Sequence, residues 1–168
     1  MQQGYQIVFK NGKRYKQMVV EEELAIKQEF ILVLDSSASM SIVREGALEA
    51  LNQEIEAIKA GAKKTGIRTY ISVYLFANSV NFVLRKRAED TTPLTLHDYC
   101  PNGMTALRDA VYATIDQAVD KHDVSTAFAL HLITDGGENN SYKTSYDQVV
   151  KQIADMHKTD RWTIFAHG

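Results

Sequence analysis

Phe30-Ile31-Leu32-Val33-Leu34-Asp35-Ser36-Ser37-Ala38-Ser39-Met40 holds a strand and its abrupt end within one short stretch. The apolar run from Phe30 to Leu34 does not alternate, which is the pattern of a strand covered by helices on both faces of a parallel sheet. It stops at Asp35. Asp35, Ser37 and Ser39 then place three oxygen-bearing side chains on alternate positions, where the strand ends and a helical pattern begins. Hard oxygen donors without Cys or His suit Mg²⁺ or Mn²⁺. Ser and Asp after a strand are also the commonest helix N-caps, so ligand and cap both stand as readings of this stretch alone.

Working outward toward the N-terminus, Tyr5, Ile7 and Phe9 alternate with Gln6, Val8 and Lys10, and Asn11-Gly12 is a strong two-residue turn signal. With Tyr15 to Val20 returning, residues 5–20 read as a β-hairpin. Glu21 to Glu23 and Lys27 to Glu29 read as a polar connector, so residues 1–29 form a hairpin and connector and residues 30–168 the main domain.

Toward the C-terminus, Leu48, Leu51, Ile55, Ile58 and Ala62 recur at helical spacing up to Gly66. Arg68 to Phe76 and Val80 to Leu84 are strand-like and joined by three residues, which makes them antiparallel, with the second strand at an edge guarded by Arg85-Lys86-Arg87. That triplet reads as a solvated strand end, not a nucleic-acid patch, because Glu89 and Asp90 offset it. Residues 88–103 form the longest loop-like connection, and long loops in compact domains are usually functional.

Leu107, Val111, Ile115 and Ala118 mark the buried side of the next helix, with Thr105 at its start as a cap or a ligand. Ala127 to Ile133 is a second continuous apolar strand, ending in Thr134-Asp135-Gly136-Gly137. His131 within it reads as a core residue with a satisfied ring nitrogen, and no histidine lies at metal-ligand spacing from another. Tyr146, Val149, Ile153 and Met156 share one face of a last helix, and Trp162 to Ala166 is a final strand.

The alternation of strands and helices predicts an α/β fold with a doubly wound, mostly parallel, Rossmann-like sheet and one antiparallel edge strand. In such sheets ligands bind beyond the carboxyl ends of the strands where the strand order reverses. Asp35 and Asp135 end the two apolar strands, and Thr105 is brought to the same rim.

These residues carry a resemblance. The chain resembles a von Willebrand factor A domain, the integrin inserted-domain fold, over residues 30 to 167. The metal ion-dependent adhesion site of that family is written Asp-x-Ser-x-Ser, then a Thr after a Gly-rich turn, then an Asp in a Thr-Asp-Gly context, here Asp35, Ser37, Ser39, Thr105 and Asp135. The resemblance implies Mg²⁺ or Mn²⁺ held by the two serines directly and by Thr105 and the two aspartates directly or through water. It also implies a protein partner whose Asp or Glu completes the coordination. Ala38 stands where the family usually has Gly between the serines. The family also continues past a fifth strand with a helix, a strand and a closing helix; their absence here implies a fragment, or a reduced version whose edge is covered by something else. The hairpin is a candidate cover or an oligomerisation arm.

Two other readings compete. An Asp ending the first strand near Mg²⁺ also describes aspartyl-phosphate phosphohydrolases, with Asp35 as nucleophile, but these resemble Asp-x-Asp and the second position here is Ser37, which lacks the general acid. No Ser or Cys nucleophile sits in a strand-turn-helix elbow, and a non-enzymatic protein is expected. The third reading is a metal-free scaffold whose Ser, Thr and Asp side chains only cap helices.

The chain's 168 residues suffice for one core without staples. A net charge of −2, with 24% charged residues, gives no field to recruit nucleic acid or an anionic membrane. No apolar run reaches transmembrane length and the N-terminus does not read as a signal peptide, so a cytoplasmic location is the expectation. The single cysteine, Cys100, fits a reducing compartment and reads as partly buried and structural. The oligomeric state is not read from these features.

Overall fold

The computed structural model describes residues 3–10, 13–20, 26–119 and 121–167. The strands β1 (Gln3–Lys10) and β2 (Lys13–Val20) pair antiparallel as a separate two-stranded sheet, with Ile7 opposite Lys16. The Asn11-Gly12 turn and the Glu21–Glu23 connector lie outside the described residues. Lys27–Glu29 are not connector. They pair with Arg68–Tyr70 on one side and Thr126–Phe128 on the other, so they open β3 (Lys27–Asp35).

After β3 come a 3₁₀ turn (Ala38–Ser41), α1 (Arg44–Thr65), β4 (Arg68–Phe76), β5 (Val80–Arg87) and a short 3₁₀ turn (Ala88–Asp90). Then follow α2 (Leu107–Gln117), β6 (Thr126–Ile133), α3 (Tyr146–His157) and β7 (Trp162–His167). The sheet order is β5-β4-β3-β6-β7, parallel except for β4–β5. The chain winds from β3 outward to β5, then returns to the other side of β3. The strand order therefore reverses between β3 and β6, and the crevice at their carboxyl ends is the topological switch point.

Alternation along β3 feeds two cores. Leu32 and Leu34 join Leu51 and Ile55 of α1, whereas Ile31 and Val33 join Val111, Ile115, Phe128 and Leu130 on the α2–α3 side. α1 ends where Gly66 takes the left-handed conformation at φ 69° and its N–H reaches the carbonyl of Ala62, a termination open to glycine at little steric cost. β6 departs from the two-sided burial that its apolar run predicts. Phe128, Leu130 and Leu132 are buried, but Ala127, Ala129, His131 and Ile133 on the other face are only half covered. The reason is positional: α1 packs on β3 and β4, and the cover thins toward β6.

Several polar residues also differ from expectation. Glu29 is buried at 2% exposure and takes a two-pronged contact from Arg85, Nε at 3.0 Å and Nη2 at 2.7 Å, with Ser72 donating to the same carboxylate. Arg85 also lies over the Tyr70 ring, 4.2 Å from its centroid. Arg85 is thus a buried-pair partner, not a solvated strand end. Tyr146 is exposed rather than on the buried face of α3, and Cys100 is exposed. His131 has only one nitrogen satisfied: Nδ1 lies 3.1 Å from Glu54, while Nε2 is buried without a partner. Burial holds its pKa below the ordinary value, against the opposing charge of Glu54.

Candidate metal centre at the switch point

Asp35, the last residue of β3, is fully buried. Its Oδ1 accepts the N–H of Ser37 at 2.7 Å and its Oδ2 the hydroxyl of Thr134 at 2.7 Å, so the carboxylate is locked between its own loop and the end of β6. Its backbone carbonyl accepts the phenol of the fully buried Tyr99 at 2.7 Å. None of the ion pairs among the described residues includes Asp35. Buried charges in proteins are normally paired or coordinate a metal, because an isolated one carries a large desolvation penalty.

Ser37 and Ser39 bring their hydroxyls to 3.0 Å of each other beside this carboxylate. Ser37 occupies the N-cap position of the 3₁₀ turn, yet its side chain makes no capping bond. Thr105 is buried at 2% exposure, and the cap position of α2 belongs to Ala106, again without a side-chain bond. The Thr105 hydroxyl and the Asp135 carboxylate make no hydrogen bond within the described residues. Thus neither Ser37 nor Thr105 spends its hydroxyl as a helix cap.

Four connecting segments are tied together around these groups. Ala38 N–H donates to the carbonyl of Gly103 at 2.9 Å and Asn102 N–H to that of Ser36 at 2.7 Å, which joins the Asp35–Ser39 loop to the segment before α2. Gly103 sits at φ 90°, where a Cβ would come within 3.1 Å of the Asn78 amide, so both the conformation and the close approach call for glycine. Asn139 Oδ1 accepts the Thr105 N–H at 2.9 Å, and the Thr105 carbonyl accepts the N–H groups of Asn139 and Asn140 at 3.0 and 3.1 Å. Asn78 Oδ1 in turn accepts the Met104 N–H at 2.8 Å.

The start of α2 is capped from a distance. Glu138 accepts the Arg108 N–H at 2.9 Å and Ser141 Oγ the Asp109 N–H at 3.2 Å. Burial pushes the Glu138 carboxyl up, but hydrogen bonds from the Ser141 hydroxyl and from the N–H groups of Arg108, Ser141 and Asn140 outweigh it and hold Glu138 below its usual carboxylate range. Both Asp35 and Asp135 act electrostatically on the Tyr99 phenol; burial raises its pKa first and the two carboxylates add to it, while Arg44 opposes.

The structure therefore gathers Asp35, Ser37 and Ser39 directly, and links Thr105 and Asp135 to them through neighbouring groups. Sequence reasoning missed the supports Thr134, Tyr99, Asn78, Asn139 and Glu138. Thr134 had a signal, since it stands beside Asp135; the others act across gaps in sequence that carry no local pattern. The donors fit a hard divalent cation: two carboxylates and three hydroxyls, with no His or Cys. Among the described residues no group of three or more His, Cys, Asp or Glu forms, so the fit rests on the hydroxyls.

No family model matches the chain, and no curated relative matches it. Among solved structures, it is similar to a von Willebrand factor type A protein from Catenulispora acidiphila, with TM-score 0.51 and 17% identity over 84% of this chain and 33% of that one. It is also similar to proximal thread matrix protein 1 from the mussel byssus, with TM-score 0.58 and 13% identity over 84% and 37%. A third is the ArnB paralog VWA2 from Sulfolobus acidocaldarius, with TM-score 0.50 and 15% identity over 84% and 34%. The chain spans about a third of the length of each of these proteins. The fold is that of von Willebrand factor type A domains.

Proposed function

We propose that this chain is a divalent-cation-dependent protein-binding module that recognises an acidic residue of its partner. The observation that carries the reading is Asp35: a buried carboxylate at the switch point, in no ion pair among the described residues, beside the Ser37–Ser39 hydroxyl pair. Ser37, Ser39 and Thr105 would hold Mg²⁺ or Mn²⁺ through neutral oxygens, and Asp35 and Asp135 would supply charge, directly or through water. Asp35 already accepts two hydrogen bonds, which favours its acting through water. With neutral groups nearest the metal, a partner's Asp or Glu gains a charge-assisted bond that Asn or Gln does not. The similarity in fold to von Willebrand factor type A proteins supports an interaction role.

The phosphohydrolase reading has less behind it. A fully buried Asp35 with both oxygens engaged is a poor nucleophile, and Ser37 provides no general acid. The metal-free scaffold loses its main support because Ser37 and Thr105 do not cap.

The test is selection of a random peptide library on the immobilised chain in Mg²⁺, with elution by EDTA. The expected peptides share an Asp or Glu whose amide substitution abolishes binding, and they are not retained by Thr105→Ala. Peptides that bind equally in EDTA, or that tolerate loss of every acidic residue, would show the metal-bridged reading to be wrong.

A further inference from the structure

A groove of about 730 Å³ runs along α1 beside the loop that follows β5. Leu48 and Asn52 of α1 and Leu96 of the loop line it together with Glu45, Glu49 and Glu56. It is preformed. Asn52 clamps the loop with both ends of its amide, donating to the Leu94 carbonyl and accepting the Leu94 N–H, each at 2.8 Å. Arg44 Nε donates to the Tyr99 carbonyl at 2.8 Å and Nη2 to that of Leu96. These bonds engage the polar atoms of Asn52 and turn the Arg44 cation onto carbonyls, so the groove presents apolar surface and carboxylates. Leu96 is 41% exposed. Glu56 pairs with Lys59 at 2.8 Å, and Glu49 accepts the neutral Gln53 amide at 3.1 Å. No ion pair among the described residues includes Glu45 or Glu49.

The head of the groove adjoins the candidate metal centre. Just beyond Ser39, Ile42 is 93% exposed and Val43 50%. Their N–H groups donate to the carbonyls of Ser39 at 3.4 Å and Met40 at 3.2 Å. This apolar pair is therefore fixed to the loop of Asp35, Ser37 and Ser39 and leads straight into Arg44 and Glu45, the first turn of α1. Apolar side chains held in water on ordered backbone, continuous with a groove, mark a contact surface.

We infer that this groove receives a lysine- or arginine-bearing stretch of the same protein partner whose acidic residue meets the metal, a contact that rests on the metal-bridged reading proposed above. The partner segment then reads acidic, apolar, basic. Its carboxylate sits at the metal, an apolar side chain covers Ile42 and Val43, and a cationic side chain enters the groove. Lysine or arginine suits the last position because its aliphatic stem lies on Leu96 and the edge of Leu48 while its charge reaches Glu45 and Glu49. Metal coordination selects the carboxylate; the groove selects among acidic segments by the sign of the charge that accompanies it.

The test takes peptides selected from a random library on the immobilised full chain in Mg²⁺ and eluted by EDTA. Their binding is then measured by fluorescence anisotropy on the wild type and on a variant carrying both Glu45→Gln and Glu49→Gln, two isosteric changes at exposed positions. The recovered peptides should carry Lys or Arg at a constant spacing from the acidic residue. The variant should bind them about fivefold more weakly, the effect of two exposed ion pairs, and the difference should shrink in high salt. Replacing the peptide's basic residue by Gln should weaken binding to the wild type by the same factor and leave binding to the variant nearly unchanged. EDTA-released peptides that lack a basic residue, or that bind wild type and variant equally, would overturn the groove contact while leaving the metal-bridged contact standing. Failure of EDTA to release any peptide from the wild type would overturn both.

Discussion

Asp35 shows how much a single residue of this chain depends on others far from it. Its Oδ2 has one donor, the Thr134 hydroxyl, so Thr134→Val leaves a buried carboxylate oxygen unsatisfied, at a cost of about 1–3 kcal/mol. Thr134→Ser keeps the donor and should lose much less; urea midpoints at constant m-value distinguish the two. Tyr99 gives a prediction with a definite pH direction. Its folded pKa lies above the ordinary value of about 10, so the unfolded chain releases the proton first and stability falls as pH rises past that value; below it the contribution is complete. Tyr74 is shifted the same way, also by burial first, and shares the effect. Tyr99→Phe should weaken the alkaline decline, at the expense of about 1 kcal/mol at neutral pH from the lost bond to Asp35. An unchanged alkaline slope in this variant would contradict the assignment.

At the scale of elements, local signals were legible and distant ones were not. α1 was readable from Leu48 to Gly66, because its apolar spacing and its glycine stop are written in adjacent residues. α3 begins with a capping box: Ser145 Oγ accepts the Gln148 N–H at 3.3 Å and Gln148 Oε1 accepts the Ser145 N–H at 2.8 Å. Ser145→Ala should cost about 1 kcal/mol in thermal or urea unfolding. α2 has no such local cap; Glu138 and Ser141 serve it from 30 and 32 residues away, and nothing near Leu107 signals them. Glu29 reads as connector in the sequence because its neighbours Lys27 and Gln28 are polar. Its partner Arg85 lies 56 positions on, across β4. β6 misled in the opposite sense: an apolar run reports what a strand could bury, but the helix above decides what it does bury.

For the whole molecule, the topology and the place of the candidate site were legible for the same reason. Two apolar strands ending in Asp define a switch point only in a parallel sheet, and the order β5-β4-β3-β6-β7 puts those strands side by side. The five candidate ligands could be named from a linear motif; the bonds that hold Thr105 to Asn139 and Asp35 to Thr134 could not. A metal-bridged binding module should be catalytically silent, so generic phosphomonoesters should not be turned over in Mg²⁺. Mg²⁺-dependent turnover abolished in Asp35→Asn would instead favour the phosphohydrolase. The most direct measurement is the melting temperature of the wild type and Asp35→Ala with Mg²⁺ or with EDTA at matched ionic strength. A ligand that binds only the folded state stabilises it by about 2.7 kcal/mol at a hundred times its dissociation constant. The account predicts a Mg²⁺-dependent rise in the wild type that disappears in Asp35→Ala; equal shifts in the two proteins, or none in the wild type, would contradict it.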